Sequence, residues 1–506
     1  MIDRMVLETT PVRHPLLEAL AISLACVPLF FLGMGDSLNW GDDNSQYIHQ
    51  ARNIVEGAPQ SQTGYLYNMA FADMGPQAYP IGFPLLLAPV YYFFGNNIHS
   101  FFVVESLFLF LLCFAVFAYY RHFFPLVLSI IATLVIGFNP YALQLKHDVI
   151  ADIPFAFFLM ACVTLFLTKG ISRYVDCILL GALAGFLICI KPTGAAFFFA
   201  LFCSLIEDLV AGVKYKKMST SLPAILGRYS ALVLVSFALL YLLSKVIFHI
   251  PSENSYWDQL SGIRPSTIHN NLNYYFVLVR DMFPFSRSVY FLNIFTTSTA
   301  FTCMVLGFMR CMTIKRGFID YLVIGFMGML IFWPSQQGIR FVLPVMPFLV
   351  RYMIIGLGML RIDNARTRNM IAVAFGLLVL VQYLPPIAKM AARSTVVIEG
   401  PQEKESVEAF TFIKSNTPEN AVIVFRKPRA LALYTGRTCW ANEQTEDYNF
   451  LENRFNSIKA RYILVNSSVS DETIKGYIAA RKDKVRPVWE NTKFRFFERT
   501  GFERSR

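Results

Sequence analysis

About eleven apolar stretches, each roughly long enough to cross a hydrocarbon core, run through this chain and leave it little choice but a bundle of membrane-spanning helices. They fall near residues 16–34, 99–120, 124–141, 152–168, 174–190, 193–210, 229–250, 288–309, 318–334, 339–360 and 369–387. Of 506 residues 55% are hydrophobic and only 16% charged, a balance that points away from a water-soluble chain. The formal charge of +11 is no nucleic-acid signature, because the basic residues are dispersed between apolar runs instead of forming the compact stripe a phosphate backbone needs. The first stretch is too long for a signal peptide, lacks an Ala-x-Ala cleavage pattern and is followed by many more spans, so it reads as a retained helix. The cysteines fall in or beside apolar spans except Cys439, which offers no disulfide framework.

Placement of charge gives orientation. With the N-terminus inside, Arg121, Lys169, Arg173, Lys214, Lys216, Lys217, Arg228, Arg310, Lys315, Arg316, Arg361, Arg366 and Arg368 all fall in cytoplasmic turns. The opposite turns contain Lys146, Lys191 and Arg340 singly. An odd number of crossings then carries the tail to the non-cytoplasmic side. Residues 1–390 read as the membrane domain and 391–506 as a small water-soluble α/β domain, in which a helix, a strand and further strands near 460–467 and 486–498 follow one another. Two long outer loops interrupt the membrane part. In the first, 35–98, the stretches 44–57 and 80–95 read as helices lying on the membrane surface, and in the second, 251–287, Leu272 to Met282 is amphipathic.

The outer loops hold the residues that could carry chemistry. Asp42 and Asp43 stand side by side next to Trp40, directly after the first span, where apolar surroundings can raise a carboxylate into general-base range. The plain alternative is that they cap the helical run that follows. Asp148 and Asp152 are four apart, a spacing that puts both on one face of a helical turn, and His147 could add a metal ligand. Here too the alternative is local, with Asp152 as an N-cap and Pro154 in the first helical turn. Lys191 and Arg340 are cations at headgroup depth, suited to a lipid-linked phosphate or simply snorkelling to the interface. Glu105 and Arg351 lie within spans and receive no role. Phosphate-binding glycine loops, paired-cysteine zinc patterns and a Gly-x-Ser-x-Gly elbow give no convincing match, which argues against a nucleotide-driven pump and a serine hydrolase.

In the order of these features the chain resembles the GT-C superfamily of integral-membrane glycosyltransferases, in the branch that includes bacterial protein O-mannosyltransferase-like and lipid A aminoarabinose transferase-like enzymes. Asp43, Tyr47, Ala51 and Arg52 keep the spacing of that branch's Asp-Glu-Ala-x-Tyr-x-x-x-Ala-Arg segment, although Asn44 replaces the second acid and Asp42 precedes the first. Tyr79 to Leu85 is similar to a Tyr-Pro-x-Gly-x-Pro-Leu segment, Asp152-Ile153-Pro154 to an entry into the fourth helix, and Lys191-Pro192-Thr193-Gly194 and Arg340 to Pro347 to two further outer segments. Residues 412–437 resemble the outer domain of many members.

The resemblance implies a GT-C-like polytopic α-helical protein of a bacterial inner membrane. Its reaction would be transfer of one hexosyl or pentosyl group from a polyprenyl-phosphate donor to a glycolipid, polysaccharide or protein acceptor outside, with inversion. Asp43 or Asp42 would be the catalytic base, and Asp148, Asp152, Lys191, Arg340 and Tyr79 would bind substrate. A divalent cation on Asp43, His147 and Asp148 is a further option, and no nucleotide cofactor is expected. A transporter or flippase is the rival reading; its mark would be paired broken helices at the midplane, whereas the acids here cluster in outer loops. The C-terminal domain is expected to serve access or stability without entering the chemistry. The basic bias predicts that a reporter active only outside the cytoplasm works when fused after Arg393 and fails when fused after Lys217. The reverse pattern would put the outer loops on the wrong side.

Overall fold

A computed structural model describes residues 15–500 apart from 33–34, 216–221, 252–254, 262, 284–289, 315, 360–363, 394–396 and 470. Lys216, Lys217, Lys315 and Arg361 of the inner turns fall outside the described residues. The described residues of the eleven apolar stretches are mostly helical. Among the described residues, six helices are long and apolar enough to span by themselves: Ile98–Arg121, Asp152–Lys169, Leu222–Ile247, Phe291–Ile314, Ile339–Leu357 and Ala365–Ala392. The others are shorter, and the first is broken at Pro28, whose missing N–H separates Pro15–Cys26 from Pro28–Phe31. The chain is a polytopic α-helical membrane protein with a C-terminal α/β domain.

Helix–helix contact in an apolar solvent rests on close backbone approach and on satisfied polar groups. Helices Tyr290–Ile314 and Met346–Leu357 meet at Gly307 and Gly356, where a Cβ would overlap the carbonyls of Tyr352 and Cys303 respectively. At the end of Ile98–Arg121, Arg121 donates from Nε and Nη2 to the Glu18 carboxylate at 2.7 and 3.0 Å, a buried two-pronged pair that fastens the first helix to the second.

The soluble part carries one mixed five-stranded sheet in the order β2-β1-β3-β5-β4, with β1 Val422–Val424, β2 Thr438–Trp440, β3 Ala460–Asn466, β4 Val485–Glu490 and β5 Phe494–Arg499. β1 runs parallel to β2 and β3, and β5 is antiparallel to β3 and β4. The first outer loop joins this domain at three levels. The Cys439 N–H donates to the Gly64 carbonyl at 2.7 Å and the Leu66 N–H to the Cys439 carbonyl at 2.9 Å, so the loop adds one rung to the open edge of β2. Trp40 packs edge-on against Phe410 and Phe425 and tilted against Phe494. Asn68 donates to the Ala441 carbonyl at 3.0 Å and to Glu443 at 2.7 Å.

The stretch 44–57 does form a helix, Asp42–Glu56, but not one lying bare on the membrane. Asn44 to Ala51 are buried without interruption, between helix Gly82–Phe94 and helix Pro428–Thr435 of the soluble domain. Its polar residues find hydrogen-bond partners in that burial. Asp148 and Asp152 do not share a helical turn: the helix starts at Asp152, with Ala151 as its N-cap, and residues 148–150 are not helical.

Candidate active site

Gly41 precedes helix Asp42–Glu56 without a side-chain cap, and the two aspartates occupy its first turn, where the helix dipole favours negative charge. Polar residues further along the helix hold the rest of the loop. Gln50 accepts from the Tyr79 N–H at 2.9 Å and donates to the Tyr79 carbonyl at 3.0 Å, a reciprocal pair that fixes Tyr79. The Tyr79 ring stacks on Tyr47 at 4.8 Å. Asn44 Oδ1 accepts from the Val149 N–H at 2.7 Å, and Glu105 Oε1, from within the membrane bundle, accepts from the Ile150 N–H at 3.2 Å. Two side chains thus tie down the segment that delivers Asp152.

The neighbouring aspartates have different partners. Asp42 turns to the soluble domain and accepts from the N–H groups of Arg429 and Ala430, at 3.4 and 3.1 Å, at the start of helix Pro428–Thr435. Burial pushes its carboxyl above the usual range in spite of the charges of Arg429 and Lys427. Asp43 is 27% exposed. Its Oδ1 accepts from the Tyr79 hydroxyl at 2.6 Å and from Arg429 Nη1 at 3.2 Å, and its Oδ2 from Arg340 Nη1 at 3.0 Å. Burial opposes the charge on Asp43, but Arg340, Arg429 and the Tyr79 hydroxyl outweigh it and hold the pKa at about 2.

Asp43 opens onto a cavity of about 180 Å³. Tyr47, Asp73 and Tyr79 line it from the first outer loop, Tyr256 and Gln259 from the second, and Asp152, Lys191, Thr193, Trp333, Arg340 and Phe341 from the ends of spans and their connections. Asp152 is almost wholly buried and accepts from Lys191 Nζ at 2.6 Å, while that ammonium also lies 4.5 Å from the centre of the Phe341 ring. Arg340 Nη2 donates to Gln337.

No protein-family model and no curated protein sequence matches the chain. Solved structures do. ArnT from Cupriavidus metallidurans bound to undecaprenyl phosphate superimposes with a TM-score of 0.56 at 13% identity, over 95% of this chain and 97% of that one. The oligosaccharyltransferase of Archaeoglobus fulgidus in complex with Zn and sulfate gives 0.56 at 14% identity, over 91% of this chain and 69% of that one. The chain has the GT-C fold.

On this GT-C fold, five of the residues singled out from sequence meet at one cavity: Asp43, Tyr79, Asp152, Lys191 and Arg340. Asp42, His147 and Asp148 are not among the described residues that line it. His147 sits edge-on to Phe102, with ring centres 6.0 Å apart, and Asp148 accepts from Asn39 Nδ2 at 2.6 Å. Among the described residues no three His, Cys, Asp or Glu side chains are grouped to hold a metal, so Asp43, His147 and Asp148 do not form the proposed ligand set. Asp43 is instead paired with Arg340 and Arg429, and Asp152 with Lys191. Sequence reasoning passed over Arg429. Its only signal was a basic residue at the start of a short helix, with nothing to connect it to a loop nearly four hundred residues earlier.

Burial raises the Asp148 carboxyl to about 6, against the hydrogen bonds from Asn44 and Asn39. Since the folded value lies above that of the unfolded chain, this group's stabilising contribution is complete below about pH 4 and is lost as pH rises through about 6. Asp148→Asn keeps an acceptor for Asn39 and should flatten the fall in unfolding temperature across that window, gaining up to about 3 kcal/mol at neutral pH. Thermal unfolding of the detergent-solubilised protein between pH 4 and 7.5 checks it; a variant that keeps the wild-type slope contradicts the assignment.

Proposed function

We propose that this protein is an inverting glycosyltransferase that moves a sugar from a polyprenyl-phosphate donor to a hydroxyl acceptor on the non-cytoplasmic face of the membrane. The observation that carries the reading is that Asp43, paired with Arg340, and Lys191, paired with Asp152, meet at one cavity at the ends of the spans. The fold shared with ArnT bound to undecaprenyl phosphate, and with the archaeal oligosaccharyltransferase in complex with an inhibitory peptide and a dolichol-phosphate, supports it. A lipid-linked donor also accounts for a site at this depth.

Lys191 and Arg340 both reach the cavity, where together they offer a phosphodiester two cationic donor groups. A carboxylate held at about 2 is ionised at any working pH but is a weak base while both its oxygens are engaged. Donor binding resolves this. A phosphate entering beside Lys191 competes with Asp43 for Arg340, and when that guanidinium turns to the phosphate it frees Asp43 Oδ2. The acceptor oxygen then attacks the anomeric carbon from the face opposite the phosphate. Its proton passes to Asp43 Oδ2, the bond from C1 to the phosphate oxygen breaks, and the electron pair leaves on the polyprenyl phosphate, whose charge Lys191 and Arg340 stabilise.

Asp43→Asn keeps the hydrogen-bond acceptor for Tyr79 but removes the proton acceptor, so turnover should fall by a factor on the order of 10² or more with donor affinity little changed. Asp42→Asn should act on the docking of helix Pro428–Thr435 and alter turnover less. Transfer assayed on the purified chain with a panel of undecaprenyl-phosphate sugars separates the two. Full turnover in both single variants and in the double variant would remove Asp43 from the mechanism.

A further inference from the structure

Arg429 is the residue least expected at this site. It belongs to the soluble domain, its side chain is 1% exposed, and it is not among the described residues lining the cavity, yet it donates to the carboxylate that is. Both of its terminal nitrogens have further partners. Nη1 also donates to the Tyr79 hydroxyl at 3.0 Å, Nη2 donates to the Pro76 carbonyl at 2.8 Å, and the guanidinium lies over the rings of Tyr65 and Tyr79 at 4.8 and 5.0 Å. The turn at Gly75 makes room for it: φ there is +84°, and a Cβ would stand 3.0 Å from Arg429 Nη2 and 2.9 Å from the Tyr79 hydroxyl.

We infer that Arg429 is a positioning residue that holds Asp43 from behind, and that the soluble domain is therefore an integral part of the active site. The inference rests on the reading of Asp43 as the base. Arg429 and Tyr79 both occupy Oδ1, whereas Oδ2 accepts from Arg340, the partner a donor phosphate would draw away. Locking Oδ1 orients the carboxylate so that Oδ2 alone meets the acceptor hydroxyl. Asp42 makes the arrangement independent of the arginine side chain for its docking, because it grips the backbone N–H groups of Arg429 and Ala430. Exchanging the side chain at 429 should thus disturb the base more than the seating of the helix.

The test compares R429A, R429K and R340A in the full-length chain. Misplacing the base should lower kcat for R429A by a factor on the order of 10² with KM within a few-fold of wild type. R429K, which keeps the charge with a single donor group, should recover part of this, and guanidinium ion added to R429A should restore turnover at least several-fold. Binding of undecaprenyl phosphate alone should be unchanged in R429A and weakened in R340A. An active wild type with an equally active R429A overturns the inference. So does a loss in R429A that neither lysine nor guanidinium repairs, or one matched by lost phosphate binding, since these mark a structural or phosphate-binding role. A wild type that transfers sugar from no donor tried is a different result: it overturns Asp43 as base, and the positioning role with it.

Discussion

The structure depends on how two adjacent carboxylates are satisfied away from water. Asp42 and Asp43 leave the first turn of one helix in different directions, one to the backbone N–H groups that open helix Pro428–Thr435, the other to guanidinium and phenol groups. Leaving a buried charge without its partner costs about 3–5 kcal/mol, so Asp42 depends on the soluble domain being seated on the outer loop, and half-buried Asp43 takes one of its two guanidinium partners from that domain. The same contacts that neutralise the charges join the two halves of the chain. Trp40 in the domain core and the added rung at β2 extend that junction with apolar and backbone contacts.

Charge also organises the cavity. Lys191 and Asp152 come from two successive span ends, and Arg340 arrives from a third connection, so the pairing at Asp43 and Asp152 pins the outer ends of several helices to one another. Such pairs contribute little net stability after desolvation, but they specify a single arrangement. They also bring Lys191 and Arg340 to one cavity, where both can serve an anion. In the proposed reaction the arginine that neutralises Asp43 responds to that anion, which couples donor entry to the state of the carboxylate.

The legible part of the site was the part encoded locally. Asp43 could be picked by counting back from Tyr47, Ala51 and Arg52, and Lys191 and Arg340 by their isolation at span ends. Asp148 was misgrouped with Asp152 because a spacing of four implies one face only if the backbone is helical, and here it is not. The helix over 42–56 was legible from its periodicity, but its burial was not. Its Asn and Gln residues suggest an exposed face, and only the structure supplies their carbonyl and N–H partners at Gln77, Tyr79, Pro59 and Val149.

By itself the sequence determined the membrane architecture and the existence of a soluble C-terminal domain, because hydropathy, helix length and charge bias act locally and need no knowledge of what packs on what. It also determined that carboxylates and isolated cations would stand at the ends of spans and in the loops between them. Only the tertiary structure decided which carboxylate faces the cavity and which serves as a clasp, and that Arg429 reaches the first of them. The physical reason is that the fate of a buried charge is set by its partner, and these partners are separated by hundreds of residues along the chain.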